Sequence, residues 1–187
     1  MIGEVKISPR KKRVKPEYEV GDYVVYGSQG VCRVEEITRL TMPDSNEKNH
    51  YYCLVPVDSK NSRIYAIVGQ KKVTMRRIIT EKEAMELIDN IEDIPVIEIK
   101  SEKLREEQYK TALRTCDCKE WVSVIKTLYV RNIERQKNGK KATTTDERYM
   151  KEAKRSLYTE LSIVLNRDKE DIEDFITKRV AENNGIG

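Results

Sequence analysis

The 187-residue sequence contains one histidine, one tryptophan and one phenylalanine, and aromatics make up only 6% of it. A lone imidazole, His50, excludes paired-histidine metal sites and leaves no partner for a histidine relay. There is no glycine-rich phosphate loop at a strand-to-helix turn and no His-Glu-x-x-His, so no enzyme is expected. His50 lies beside a polar loop and is assigned no role. No apolar run approaches the roughly 20 residues that span a bilayer, and no secretory core follows Met1; a cytoplasmic protein without membrane contact is expected. With no secretory signal, the four cysteines are expected to be free thiols. Cys32 and Cys53 fall in predicted strands as small hydrophobes. Cys116 and Cys118 form a Cys-x-Cys with neither a second pair nor a nearby histidine, so neither metal nor cofactor is expected.

What is present is charge and short β-rich runs. The organising stretch is Tyr18–Thr38, where runs over 23–26 and 31–37 flank Gly27-Ser28-Gln29-Gly30. Glycine at both ends of that turn permits the positive φ that a tight reversal needs. Further strands are expected over 50–57, 63–68 and 73–79, separated by polar turns such as the one over 41–49. Five short strands with brief connections predict a small SH3- or Tudor-like β-barrel over 17–79.

The period changes to 3.6 at Thr80. Thr80 with Glu83 has capping-box spacing, and Ala84, Leu87, Ile88 and Ile91 follow at helical intervals. A linker over 93–100 precedes helices expected over 101–115, from Asp117 to about Lys137, from Thr144 with Glu147, and from Asp168 onward. The fold class is therefore α+β in two domains, a barrel followed by an all-α domain of about five helices over 80–187. The sharpness of the switch predicts two separately folding halves with a small shared interface.

The net charge is only +4, so its distribution matters more. Residues 103–155 hold fifteen Lys and Arg against eight Asp and Glu, while residues 156–187 are acidic by four against seven. A basic excess on part of the helical half suits a polyanion, as does the arm over 1–16 with Arg10-Lys11-Lys12-Arg13-Val14-Lys15. That run also has the composition of a nuclear localisation signal, a pattern with many false positives.

Val20-Gly21-Asp22-Tyr23-Val24-Val25-Tyr26, the Gly turn, and Val31 to Ile37 resemble the start of the polymerase-interacting domain of the bacterial CarD/CdnL transcription regulators. A related module occurs in the transcription-repair coupling factor. The similarity continues through 52–57, 62–68 and 73–78 and resumes in the helical half. It implies a bacterial protein, so the basic arm is not a nuclear signal. It further implies docking on the RNA polymerase β subunit by strand addition. The matching strand is 63–68, with Arg63, Tyr65 and Ile67 as contacts and Arg39 as a further one. Tyr65 stands where relatives often carry a basic residue, Ile67 where they often have proline, and Thr74 where they often have glycine.

The resemblance also implies contact with promoter DNA at the upstream edge of the transcription bubble, where relatives use a tryptophan wedge one turn before a Tyr-Lys pair. Here that pair is Tyr109-Lys110, and Arg105 occupies the preceding turn. The single Trp121 falls on an apolar stripe with Ile125 and Leu128 and is expected in the core. DNA contact is therefore expected to be electrostatic, through Arg105, Lys110, Lys151, Lys154 and Arg155. Three readings stand: a monomeric polymerase-docking transcription regulator, a stand-alone nucleic-acid-binding module, or an adaptor that binds only protein. A stand-alone barrel would need exposed stacking aromatics, and these tyrosines alternate with valine as core residues do.

Overall fold

The structure is a computed structural model that describes residues 15–41, 48–59 and 61–185. Most of the basic arm and most of the 41–49 loop lie outside the described residues. Five strands come first: β1 (Tyr23–Tyr26), β2 (Val31–Thr41), β3 (Lys48–Pro56), β4 (Ile64–Ile67) and β5 (Met75–Arg77). They form one antiparallel sheet in the order β4-β3-β2-β1-β5. The expected barrel is thus an open sheet, with β4 and β5 each paired on one side only.

The β1–β2 connection is a 3-10 turn over Gly27–Gln29, with Gly27 at φ 48° and Gly30 at φ 74°. Gly27 is needed for space as well: a Cβ there would meet Val73 Cγ1 at 2.7 Å. Gly27→Ala is expected to cost about 1–3 kcal/mol through this strain and clash. A urea midpoint equal to that of the native chain would refute the assignment.

Strand alternation places β1 between two cores. Val24 and Tyr26 join Cys32, Val34, Tyr52, Leu54 and Ala66 in the sheet's own core. Val25 and Val31, of opposite parity, pack into the core of the helices. Those helices are α1 (Glu81–Asp89), α2 (Arg105–Arg114), α3 (Cys118–Lys137), α4 (Thr144–Val164) and α5 (Ile172–Asn183). Thr80 and Glu83 form the expected capping box of α1. Asp117 caps α3 by accepting from Lys119 N at 2.7 Å. The cap of α4 is Thr143, one residue before the position expected, which sets Asp146 at the third helical position, facing inward. Asp168 makes no side-chain cap; a 3-10 turn over Lys169–Asp171 starts α5 instead. No helix among the described residues is long and apolar enough to cross a membrane.

The halves are not joined by a small interface. Besides sharing a core, they are fixed by Glu160 of α4, which is 0% exposed. Its Oε1 accepts from Arg76 Nη1 at 2.6 Å and from the Ile79 amide at 2.8 Å, and its Oε2 accepts from Arg76 Nη2 at 2.9 Å. Arg76 Nε also donates to the Cys116 carbonyl, and its guanidinium lies 5.6 Å from the centre of the Trp121 ring. The linker is pinned too. Lys126 Nζ donates to the carbonyls of Ile91, Glu92 and Ile94, and the Ile97 amide donates to Thr127 Oγ1 at 2.8 Å.

At the other end of the helices, Asp89 accepts from Arg179 Nε at 2.7 Å and from Asn183 Nδ2 at 2.9 Å, joining α1 to α5. The Arg179 hydrogen bond first, then that of Asn183, holds the Asp89 carboxyl down at about 2 against its ordinary 3.8. A carboxyl lowered by folding stabilises above its unfolded value, and that contribution fades as pH falls through the folded one. The melting temperature of Asp89→Asn is therefore expected to lie below that of the native chain at neutral pH. The gap should close as pH falls from about 3.8 to about 2. A gap independent of pH would contradict the ionic origin of the contact.

Candidate functional site

Two surfaces carry the residues singled out in the sequence. The first is the free edge of β4. Val68 N donates to His50 O at 2.9 Å, and the register continues Tyr51 with Ile67, Tyr52 with Ala66 and Cys53 with Tyr65. Hydrogen-bonded pairs alternate in an antiparallel ladder, so position 66 bonds inward to β3 like 68. The main-chain N–H groups of Tyr65 and Ile67 and the Tyr65 C=O therefore point outward from the sheet, while the Ile67 C=O accepts from the Gln70 amide at 3.2 Å. The Tyr65 and Ile67 side chains are 45% and 43% exposed. One short segment thus offers outward main-chain groups at Tyr65, the outward Ile67 amide and two apolar side chains.

Arg63 shares the parity of Tyr65 and Ile67, and its Nη1 approaches Cys53 Sγ at 3.9 Å. Arg39 is placed elsewhere. It lies opposite His50 on the sheet face that also carries Tyr52, and its Nε donates to His50 Nε2 at 2.7 Å. His50 therefore has a role the sequence did not suggest: its Nε2 is the acceptor that holds Arg39. The structure groups three of the four expected contacts and leaves Arg39 two strands away.

The second surface is the outer side of α4. Lys151 is exposed. Arg148, Lys151 and Arg155 follow at intervals of three and four residues and form one ridge. Lys154 is tied to Glu173, with its Nζ at 2.7 and 2.9 Å from the two carboxylate oxygens. Arg155 and Lys169 both face Asp58, at 3.9 and 3.1 Å. Lys110 of α2 is exposed and lines an open groove with Arg114 and Arg148 beside Ser28 of the β1–β2 turn. Arg114 and Arg148 were not singled out by the sequence reading. Their signal was weak, because only the fold sets α2 against the first turns of α4.

Arg105 does not belong to this surface. Its guanidinium is mostly buried against Asp146, and Asp146 also accepts from Arg131 Nε at 3.1 Å. Arg131 in turn makes a two-point pair with Glu102, at 2.7 and 2.9 Å. An inward carboxylate at the start of α4 thus takes up both arginines, and Arg105 has no free face to stack on a base. Trp121 is 1% exposed, and its Nε1 donates to the Leu113 carbonyl at 3.3 Å. It is a core residue. The exposed apolar side chain next to Arg105 is Leu104, at the amino end of α2.

A small open sheet with an edge strand paired on one side only is fused to a helical bundle with a basic ridge. Family models give its class, a transcription-associated factor that interacts with RNA polymerase. The CarD-like/TRCF RID domain matches residues 18–79, and the CarD C-terminal domain matches residues 86–177. The chain belongs to the CarD/CdnL family. A comparison with curated proteins finds no match.

Proposed function

We propose that the chain docks as a monomer on the β subunit of bacterial RNA polymerase through the β4 edge and holds promoter DNA near the upstream edge of the bubble with its helices. The observation that carries the docking reading is the outward N–H and C=O of Tyr65 and the outward Ile67 amide, flanked by exposed apolar side chains. Strand addition uses such a row: main-chain hydrogen bonds supply affinity, and alternate side chains choose the partner. Arg63 lies on the same face. Arg39, held by His50, flanks the sheet and supplies charge at longer range.

DNA is met by Lys110, Lys151, Arg148, which also pairs with Glu106 at 2.5 Å, and Arg155, which also faces Asp58 at 3.9 Å; Lys154, held by both oxygens of Glu173, contributes less. Leu104, solvent-facing beside Arg105, supplies an apolar contact at the bubble edge. Affinity for DNA alone is weak, and docking on polymerase raises the effective concentration. A stand-alone nucleic-acid-binding barrel is less well supported, because Tyr18, Tyr26, Tyr51 and Tyr52 are buried and cannot serve as stacking platforms.

Four phosphate contacts give a log-log salt slope of roughly −3 to −4 for duplex DNA. In the Lys110→Ser/Lys151→Ser/Arg155→Ser variant the slope is expected to shrink by about 2 to 3, because each lost phosphate contact removes roughly one unit. The same variant should shorten the lifetime of open complexes formed by bacterial polymerase while still co-purifying with the enzyme. An unchanged slope and unchanged lifetime would leave the protein-only adaptor as the better reading.

A further inference from the structure

The outer side of α4 already holds one anion, and that anion is the protein's own. Asp58 lies in the turn between β3 and β4 and reaches across to the helical half. Its Oδ1 accepts from Lys169 Nζ at 3.1 Å, and Arg155 Nη1 stands 3.9 Å from its Oδ2. The Thr159 hydroxyl approaches both oxygens, at 3.5 and 3.4 Å. Donors from two elements thus converge on one carboxylate. Arg155 and Thr159 are one turn apart on α4, and Lys169 opens the 3-10 turn before α5. Among the described residues no other carboxylate pairs with Arg155 or Lys169.

The donors are better fixed than the acceptor. Thr159 is buried, and Arg155 and Lys169 are half-buried. Asp58 is exposed, and its carboxylate can swing into solvent without breaking the turn's own hydrogen bonds, Ser59 N to Pro56 O and Ser62 N to Ser59 O. A phosphate oxygen asks for the same charged donors as a carboxylate oxygen. Ion pairs this exposed are weak, so an outside anion can replace the internal one. An approach is open as well: Arg155 and Lys169 line, with Lys151, a groove of about 640 Å³ over Met150 and Tyr158.

We propose that Arg155, Thr159 and Lys169 form a phosphate seat in which the Asp58 carboxylate stands in until a DNA backbone phosphate displaces it. The inference rests on the reading that α4 meets DNA. It extends that surface to Lys169 and Thr159, and it makes Asp58 an internal competitor contributed by the sheet half.

The test measures binding of the full chain to a short mixed-sequence duplex by fluorescence anisotropy over a salt series. Asp58→Asn and Asp58→Ser should each bind about 3- to 10-fold more tightly at low salt, the scale of one or two exposed ion pairs. Lys169→Ser should bind less tightly, with a log-log salt slope shallower by roughly one. In the Arg155→Ser/Lys169→Ser background Asp58→Asn should bring no gain, whereas the mere loss of a negative charge would help there too. If the native chain binds with its expected slope but neither Asp58 variant binds more tightly, the seat is overturned and the DNA reading stands. A gain that persists without Arg155 and Lys169 overturns the seat as well, as does an unchanged slope in Lys169→Ser. Native binding that does not depend on salt sinks the DNA reading, and the seat with it.

Discussion

Glu160→Ala is expected to lower the stability of the whole chain by about 3–5 kcal/mol, the usual cost of breaking a buried charge pair and stranding one partner. Glu160 is fully buried and satisfies three donors at once: two guanidinium nitrogens of Arg76 and the amide of Ile79. Burial alone would lower the pKa of Arg76, and the hydrogen bond and charge of Glu160 more than offset it, so it stays charged and bound. The Cys118 thiol lies 3.4 Å from the same carboxylate, and burial pushes its ionisation upward, so the cluster holds a neutral thiol beside one ion pair. Removing both charges is a different experiment. Arg76→Met with Glu160→Leu should recover most of the loss, because two apolar side chains replace two desolvated ions. Recovery should fall short by about 1–3 kcal/mol, since the Ile79 amide then lacks an acceptor. Because strands and helices meet at this cluster, the Glu160→Ala loss should appear in one cooperative transition. A separate early melting of the helical half would show that the halves fold independently after all.

The second large effect concerns binding. Tyr65→Pro is expected to weaken polymerase binding by roughly 10- to 100-fold, or about 1.5–3 kcal/mol, through loss of an outward main-chain donor and blocked pairing. The fold should tolerate it, because the Tyr65 N–H faces away from β3 and edge strands accept proline at such positions. Tyr65→Phe should bind like the native chain, and Tyr65→Glu should bind weakly by placing charge in the interface. If Tyr65→Pro folds and co-purifies with polymerase at native yield, backbone pairing at this edge is not the docking mode.

Much of this architecture can be read from the sequence because local chemistry and global fold agree. The Gly27 and Gly30 turn, the Thr80–Glu83 box and the Asp117 cap are each short-range signals, and each appears in the structure where expected. Strands whose ends are set by pairing partners were less legible. β2 extends four residues beyond the apolar run, to Thr41, because β3 pairs with it as far as Lys48. The family-level class was legible as well, since the order of several weak motifs carries more than any one of them.

What escaped the sequence was burial of charge. Glu160 sits three residues after Leu157 and seven after Ala153, so an acidic residue interrupts the apolar stripe of α4. That placement was the available signal, and it marks the joint between the halves. Asp146 is similar: three residues before Tyr149, it lies under the same stripe and draws in Arg105 and Arg131. Arg105, expected on the DNA-facing surface, is turned inward for this reason. The meeting of Lys110 and Arg114 of α2 with Arg148 of α4 is set by how the two helices pack, so it cannot be read from the sequence.

The most direct measurement is amide hydrogen exchange at β4, with and without bacterial RNA polymerase. The amides of Ala66 and Val68 already bond to β3 and should be slow in both states, whereas those of Tyr65 and Ile67 face outward and should exchange quickly in the free chain. Strand addition predicts marked slowing at Tyr65 and Ile67 on binding, with little change at Ala66 and Val68. Tight binding that leaves the Tyr65 and Ile67 amides as fast as before would contradict it.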